Sequence, residues 1–452
     1  MRRTRRWYAV AVAVPVLAAV AADGPRAPGG AHAGGGTHGG GRAQPACASS
    51  VPYVSGTGGY AAYRIPAVVR TRAGTLLAFA EGRVDGVGDA GAVDIVLRRS
   101  SDGGCTWGPT RVVAAGHGDT RGNPAPVVDP RSGDVVLVSA GNDGAVTEGM
   151  VLRGRATAAT GRRVFVQRSA DDGRSFSAPR DITSSVRKPG WRWYATGPGH
   201  ALALAHGRYA GRLVVPANHS AAPPRGSADT GREPRHYGAH ALLSDDGGHS
   251  WRLGYTDETY EGTVNANEST AAELPDGTLF LSARDQHGTG PGHRVAGRSR
   301  DGGATLDRPF APHPGLEEVP VVQGSLLYVP GPSGLLVFSG PSVPTARAVP
   351  ALWTSADGGR TSARALTLSR RPAAYSDLVR VDGGTIGVLY ETGARGPYET
   401  IAFRRVPLTA LTPPAQGRSS FASNRPSPRT STKETCWPSE SAWPCSTSSV
   451  RK

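Results

Sequence analysis

A short phrase of the form Ser-x-Asp-x-Gly occurs five times along the 452-residue chain and limits its fold more than any other feature. Successive copies begin 69, 75, 55 and 56 residues apart. The first three end in an aromatic residue, whereas the last two end in Leu306 and Ser362. The five copies begin at Ser100, Ser169, Ser244, Ser299 and Ser355. Repetition at this period indicates a solenoid, a propeller or another array of similar units.

The phrase has the chemistry of a hairpin turn. An aspartate carboxylate accepts hydrogen bonds from nearby backbone amides, and glycine adopts positive φ without steric cost. The terminal aromatic ring supplies apolar area that can hold the turn against its unit. The phrase resembles the Asp-box of sialidases and of several other β-propeller proteins, where it caps a hairpin far from the active site. We therefore interpret it as architecture and give none of its residues a catalytic role.

Composition favours an all-β chain. The 62 glycines and 37 prolines exceed a fifth of the residues, which predicts closely spaced turns. No long stretch spaces its apolar residues at 3.6 positions, which argues against a helical or α/β fold. By length alone, the chain accommodates one large β domain or two to three smaller ones.

The ends of the chain differ from its middle, which divides it into four segments. Residues 1–22 join an arginine-rich start to a short apolar run and are predicted to be a secretory signal, with a membrane anchor as the alternative. Residues 23–46 are rich in Gly and Ala, which predicts a flexible linker. Residues 47–405 hold the repeats and form the predicted domain. Residues 406–452 are rich in Ser, Pro and Thr and are predicted to be a disordered tail, with a shifted reading frame as the alternative. The protein is expected to be secreted, without a stable membrane anchor.

The formal net charge of +15 is concentrated at the two ends. Residues 1–46 carry +5, residues 406–452 carry +4, and the predicted domain carries +6. No basic stripe with interleaved aromatic residues is present, so we expect no nucleic-acid partner, whereas a modestly positive domain suits an anionic substrate. The four cysteines leave disulfide pairing open. Without a C-x-x-C or H-E-x-x-H motif, no metal or cofactor is predicted, and we expect a monomer.

Other segments resemble bacterial exo-α-sialidases in the order in which that family carries them, over about residues 50–405. Residues 63–66 resemble the family's R-I-P phrase, and the resemblance implies a six-bladed β-propeller with its site at the central channel. It also implies that Arg64, Arg284 and Arg347 form a triad that binds the substrate carboxylate. Arg364 is the less well placed alternative for the third position.

The acid–base pair is implied by the same resemblance. Asp89 lies in a Gly-rich loop where sialidases place their acid/base aspartate, and Asp85 and Asp94 are rivals in that region. Arg83 matches an arginine that lines the pocket beside this aspartate. Glu268 precedes Arg284 by 16 residues and takes the position of the base. Glu273, five residues after Glu268, is its competitor for that role.

A tyrosine nucleophile completes the predicted site. Residues 374–378 resemble the family's nucleophile segment, which implies that Tyr375 attacks the anomeric carbon. Residues 386–393 resemble the segment whose glutamate supports the first arginine, which gives Glu391 that role. Residues 191–199 are similar to a loop at the pocket mouth, although aromatic residues that cover the core would give the same pattern.

The predicted activity is the hydrolysis of terminal sialic acids from glycoproteins, glycolipids and oligosaccharides, with retention of configuration. A propeller that binds glycans or proteins without catalysis is the first alternative. The second is an Asp-box glycosidase of another specificity, which would need two paired carboxylates rather than three arginines. A trans-sialidase would differ only in how it handles the acceptor.

Overall fold

The computed structural model describes residues 47–331 and 334–411. The predicted signal, the linker and most of the predicted tail lie outside these residues. The described chain is nearly all β, with two short helices, α1 (Glu148–Leu152) and α2 (Thr183–Val186), and three 3₁₀ turns at Gly207–Tyr209, Pro234–His236 and Leu408–Ala410. Within it, no helix is long and apolar enough to cross a membrane.

The described residues form twenty-five strands, arranged as six blades of four main strands, and the six-bladed propeller was predicted. The first described strand is β1 (Ser49–Val54). Blade one follows as β2 (Ala62–Arg70), β3 (Leu76–Arg83), β4 (Val93–Ser100) and β5 (Arg111–Ala114). Blade two is β6 (Thr120–Val128), β7 (Val135–Asn142), β8 (Arg163–Ser169) and β9 (Arg180–Asp181). Blade three is β10 (Trp191–Thr196), β12 (Leu213–Ala221), β13 (Tyr237–Ser244) and β14 (Arg252–Thr256), with the short β11 (Leu202–Ala203) beside β12.

The remaining blades follow the same plan. Blade four is β15 (Ala266–Glu273), β16 (Leu279–Asp285), β17 (Arg294–Ser299) and β18 (Ala311–Pro312). Blade five is β19 (Ser325–Val329), β20 (Leu335–Val343), β21 (Ala346–Ser355) and β22 (Ala363–Thr367). Blade six is β23 (Ala373–Arg380), β24 (Thr385–Thr392), β25 (Thr400–Pro407) and, from the other end of the chain, β1. Neighbouring strands within every blade are antiparallel, and a single parallel bridge between Val93 and Thr120 joins blades one and two.

Strand β1 closes the ring by pairing with β25, from Ser49 opposite Arg404 to Val54 opposite Thr400. A disulfide between Cys47 and Cys105 ties the start of this strand to the first Asp-box turn. The folded chain also continues past the boundary predicted at residue 405. Strand β25 runs to Pro407 and Leu411 is buried against blades five and six, because its apolar side chain joins their shared cluster.

In the described residues the apolar core consists of six clusters. Five of them join two neighbouring blades, and the sixth joins blades four and five and also includes Ile65 of blade one and Ala374 and Tyr375 of blade six. One cluster joins blades two and three around Val136, Leu213 and Trp251, and the cluster of blades six and one includes Tyr53 and Val68. Because blades pack face to face, inner strands are buried on both sides, as β3 shows with eight buried residues in succession, Glu81 and Arg83 among them. The first strand of each blade is left to face the central axis.

All five repeated phrases form the same turn between the third and fourth strands of a blade. The serine hydroxyl donates to the aspartate at 2.7–2.9 Å and accepts the amide of the glycine that ends the phrase at 2.8–3.0 Å. The side-chain hydroxyl of the residue two positions after that glycine also donates to the aspartate. This residue is Ser or Thr in all five copies, although it is not part of the Ser-x-Asp-x-Gly pattern. These hydroxyls belong to Thr106, Ser175, Ser250, Thr305 and Thr361. Blade six has no such turn, because its third and fourth strands come from opposite ends of the chain.

Blade three contains two buried histidines, His219 and His240, which should make the stability of the fold sensitive to acid. The His219 ring stacks on Trp191 with centroids 3.7 Å apart, and its Nδ1 lies 3.1 Å from Nδ1 of His240, so only one of these nitrogens can carry a proton. Burial lowers the pKa of His240 to about 3, with a further contribution from Lys188. Burial and then His240 and Lys188 lower the pKa of His219 well below its usual value.

We expect the free energy of unfolding to fall as the pH drops from about 6.5 towards 3. The unfolded chain binds protons at about pH 6.5 whereas the folded chain does not, at a cost of up to about 1.4 kcal/mol per pH unit for each histidine. Urea unfolding at pH 7.5, 6 and 5 measures this slope. The His240→Gln variant should flatten it, and the exposed His249→Gln should not. An unchanged slope in His240→Gln would contradict the assignment.

Candidate active site

The central cleft brings together the predicted site residues from four blades. Arg64 lies on β2, Glu268 on β15 and Tyr375 on β23, which are all first strands of their blades. Arg284 lies near the end of β16, and Arg347 is the second residue of β21. The cleft is a cavity of about 190 Å³, and every predicted catalytic or substrate-binding residue lines it.

Tyr375 and Glu268 form the centre of the cleft. The phenol Oη donates to Glu268 Oε1 at 2.5 Å, and Arg284 Nη1 lies 2.9 Å from Glu268 Oε2 and 3.3 Å from the phenol oxygen. Burial raises the pKa of Tyr375, the negative charge of Glu268 raises it further, and the nearby arginines oppose both effects. The phenol is therefore neutral and hydrogen-bonded to a carboxylate that can receive its proton.

Arg64 is held by Glu391, as the resemblance implied. Its Nε and Nη2 donate to the two Glu391 oxygens at 3.1 and 3.3 Å. The same carboxylate accepts the backbone amides of Ile65 at 2.8 Å and Tyr375 at 3.1 Å, and it is fully buried. Ile65 has φ of 56°, a left-handed conformation at a bulge in β2, so this carboxylate fixes an unusual backbone as well as a side chain.

The three arginines converge on the Tyr375 ring. The guanidinium of Arg64 lies 5.1 Å from the ring centroid and that of Arg347 lies 5.5 Å from it, while Arg284 contacts its oxygen. Arg347 is oriented by the Tyr398 hydroxyl, to which its Nη1 donates at 2.7 Å, and Arg64 lies 4.2 Å from the centroid of that same tyrosine. Three charges around one point form a site for a carboxylate.

Asp89 lies at the rim of the cleft, with 59% of its side chain exposed. Its Oδ1 is 2.9 Å from Arg83 Nη2 and 3.8 Å from Arg64 Nη1. Arg83 is itself fixed by buried Glu81, whose Oε2 accepts its Nε and Nη2 at 2.9 and 2.6 Å. An exposed carboxylate on a loop beside two arginines can approach a leaving-group oxygen that projects from the cleft.

The rival residues lie elsewhere. Asp94 accepts the Tyr60 hydroxyl and the Gly116 amide, both at 2.7 Å, and Asp85 does not line the cleft. Glu273 accepts the amides of residues 205 and 206 at the far end of β15. Arg364 lies on β22 and forms an ion pair with Glu318 at the surface. None of these four alternative residues lines the cleft, whereas Asp89, Glu268 and Arg347 all do.

Sequence reasoning missed one wall of the cleft. Half-buried Glu148, at the start of α1, accepts the Tyr237 hydroxyl at 3.0 Å, and desolvation raises the pKa of this carboxyl group. Arg162 is fully buried and lies 4.3 Å from the centroid of Trp193, and burial lowers its pKa to about 10. Both polar side-chain atoms of buried Asn218 face this region without a hydrogen-bond partner. No local motif marks these residues, because they meet only through the packing of blades two and three.

The segment 191–196 is a strand and not a loop at the mouth, so that part of the interpretation was wrong. It forms β10, the first strand of blade three. Trp193 and Ala195 line the cleft, whereas Trp191 and Tyr194 belong to the apolar cluster between blades two and three. Both alternatives for these aromatic residues hold. From Trp193 to Ala195 successive residues face opposite sides of the strand, and a register shift between Trp191 and Tyr194 places Trp191 on the core side with Tyr194.

One group of potential metal ligands lies outside the cleft. Asp229, Glu233 and His236 place one ligand atom each within 4.8 Å of one another. Asp229 already pairs with Arg235 and accepts His236 Nε2 at 2.9 Å, and Glu233 accepts the amides of residues 230 and 231. Both carboxylates therefore already have hydrogen-bond or ion-pair partners among the described residues.

The fold and the cleft define a class of protein, a six-bladed β-propeller with a tyrosine, a glutamate and three arginines at its axis. The sequence profile of the BNR repeat-like domain matches residues 74–388. A sialidase of Bacteroides fragilis is 30% identical over 364 residues, which cover 75% of this chain and 61% of that protein. Sialidase-3 of Bos taurus is 30% identical over 395 residues, which cover 76% of this chain and 88% of that protein.

Solved structures agree with these relatives. The Hadza microbial sialidase Hz136 superposes with a TM-score of 0.67 at 28% identity, covering 80% of this chain and 69% of that one. The chain belongs to the sialidase family. It spans between half and two thirds of the length of its bacterial relatives, 61% in Bacteroides fragilis and 51% in Micromonospora viridifaciens.

Proposed function

We propose that this protein is a secreted, retaining exo-α-sialidase that acts as a monomer on glycoproteins, glycolipids and oligosaccharides with terminal sialic acid. The observation that carries the proposal is the 2.5 Å hydrogen bond from Tyr375 to Glu268, with Arg284 in contact with both. Secretion is supported by the composition of residues 1–22 and by the disulfide between Cys47 and Cys105, since disulfides persist mainly in oxidising compartments.

The substrate's own carboxylate explains the choice of nucleophile. Sialic acid carries this group on the anomeric carbon, where Arg64, Arg284 and Arg347 would bind it. A carboxylate nucleophile would be repelled by that charge, whereas a neutral phenol is not. Sialidases with a tyrosine nucleophile are a known exception to the two-carboxylate scheme of glycosidases.

The proposed reaction consists of two displacements at the anomeric carbon. Glu268 takes the phenolic proton as Tyr375 Oη bonds to the anomeric carbon, while Asp89 protonates the leaving glycosidic oxygen. Asp89 then removes a proton from water, which attacks the anomeric carbon and releases the tyrosine, whose oxygen recovers its proton from Glu268. The polar wall formed by Glu148, Tyr237 and Asn218 would bind hydroxyl and amide groups of the sugar.

Hydrolysis of 3′-sialyllactose, followed by proton NMR, tests the reaction and its stereochemistry together. We expect free sialic acid to be released first as the α-anomer, because two inversions retain configuration. The Glu268→Gln variant should lose most activity, whereas Glu273→Gln, the matched carboxylate on the same strand, should keep it. Release of the β-anomer first would exclude the covalent mechanism. No release by the folded protein would favour a propeller that only binds glycans.

A further inference from the structure

A second concave site lies on blade four, far from the cleft. Strands β15 and β16 carry Glu268 and Arg284 towards one end, and the turn that joins them, residues 274–278, lies at the opposite end. Asp276 in this turn lines a groove of about 530 Å³ that also borders the fifth Asp-box. We call it the blade-four groove and define it by Asp276, Arg298, Arg300, Arg308 and Arg360.

Four arginines face this groove with little compensating charge. Arg308 and Arg360 are exposed and, within residues 47–331 and 334–411, neither guanidinium has an ion pair or hydrogen bond. Arg300 pairs with Asp307 at 2.8 Å. Arg298 is fixed in place, since its Nη2 donates to the carbonyl of Gly358 at 2.7 Å and its guanidinium lies 5.0 Å from the centroid of Phe280.

The neighbouring carboxylates neutralise these charges only in part, since Asp307 pairs with Arg300 alone. Asp276 lines the groove and accepts the amide of Thr278 at 2.9 Å. Asp357 is engaged within its own turn, where it accepts the hydroxyls of Ser355 and Thr361 at 2.7 Å each. Burial lowers the pKa of Arg298, the positive charges of Arg360, Arg300 and Arg308 lower it further, and Asp276 opposes this effect. A bound anion would relieve this repulsion.

The shape and lining of the groove favour an acidic oligosaccharide. Its volume falls within the range of about 300–1,000 Å³ that ligand sites occupy, and guanidinium groups bind carboxylates and sulfates in bidentate fashion. The two rings beside it, Phe280 and His313, are buried and pack against each other at 5.4 Å, so they offer no surface on which nucleic-acid bases could stack. Pro312 and Pro314 are exposed and line the groove, so their apolar rings are available to the ring faces of sugars.

We propose that the blade-four groove is a second carbohydrate site that binds an acidic oligosaccharide through Arg298, Arg308 and Arg360. The site is separate from the catalytic cleft, and the proposal does not depend on the proposed activity. The acidic group is a carboxylate of a uronic sugar or a sulfate ester, since both have the chemistry that arginine recognises.

Fluorescence anisotropy with two labelled hexasaccharides tests the proposal on the full chain at 20 mM and 200 mM NaCl. One probe is a heparin-derived hexasaccharide, with sulfates and carboxylates, and the other is hexagalacturonate, with carboxylates alone. Neither contains sialic acid. We expect saturable binding of at least one probe, weakened by salt, and a loss of roughly tenfold or more in the Arg308→Gln/Arg360→Gln double variant.

The matched control is Arg225→Gln/Arg232→Gln, which removes the same charge from two exposed arginines between β12 and β13 of blade three. This control should bind within twofold of the parent protein, and both double variants should hydrolyse an aryl sialoside at the parent rate. Binding of the heparin probe alone supports a sulfate ligand, and binding of both supports a carboxylate. Equal losses in the two double variants, absence of binding, or tighter binding of a labelled hexa-aspartate peptide would overturn the proposal.

Discussion

Replacing Tyr375 with phenylalanine should lower kcat/KM for 3′-sialyllactose by about three orders of magnitude or more, equivalent to about 4 kcal/mol. Phenylalanine fills the same space but has no oxygen to attack the anomeric carbon. The arginine triad and Glu268 would remain, so the substrate should still bind. Initial rates and KM, measured on the full chain, separate the loss in kcat from any loss of affinity.

The residual activity of Tyr375→Phe provides a second measurement. Without a covalent intermediate, water must attack the sugar directly in a single displacement, so the first product should be the β-anomer. The matched control is Tyr255→Phe, because the Tyr255 hydroxyl is also buried but has no hydrogen-bond partner and does not line the cleft. Full activity is expected in this control. A Tyr375→Phe variant that retains the parent rate would exclude Tyr375 as the nucleophile.

Replacing Glu391 with alanine should lower the free energy of unfolding by about 3–5 kcal/mol, because it leaves the buried charge of Arg64 without its partner. It also leaves the amides of Ile65 and Tyr375 without an acceptor. The substrate should bind far more weakly in any folded fraction, because Arg64 would no longer be held beside Tyr375. Urea unfolding measures the first effect and KM the second.

The control for this substitution is Glu261→Ala, which removes an exposed glutamate with no hydrogen bond or ion pair in the described chain. Its free energy of unfolding should stay within about 0.5 kcal/mol of the parent value. The Glu391→Gln variant keeps the volume of the side chain but turns an amide towards Arg64 or a backbone N–H. It should therefore be intermediate in stability. A Glu391→Ala variant as stable as Glu261→Ala would contradict the role assigned to this carboxylate.

The repeated turns and the residues at the channel were predictable because their signals are local. A Ser-x-Asp-x-Gly phrase folds on itself, so five copies predict five turns wherever the blades pack. The segments around Arg64, Glu268 and Tyr375 carry family motifs on single strands. Arg347 is different, because no apolar alternation marks the start of β21, the strand that carries it.

Contacts between residues far apart in the chain could not be predicted from the sequence. Glu148 meets Tyr237 across 89 positions, and Arg347 meets Tyr398 across 51, with no motif at either end. Which side chains of residues 191–196 face the cleft depends on the strand register. A shift of one residue would place Tyr194 in the cleft and Trp193 in the core. The pairing of β1 with β25 requires contacts over some 350 positions, and neither strand contains a phrase that identifies its partner.

This pairing sets an order of events during synthesis. Strand β1 is among the first parts of the domain to leave the ribosome, but its partner β25 is made after all the other described strands. Domains generally fold as units once their chain is complete, so blade six must wait for residues 400–407. Until then β1 remains an unpaired edge and the channel has no closed wall. Truncation anywhere before β25 would therefore remove the seam that holds the ring, even where the catalytic residues had already been translated.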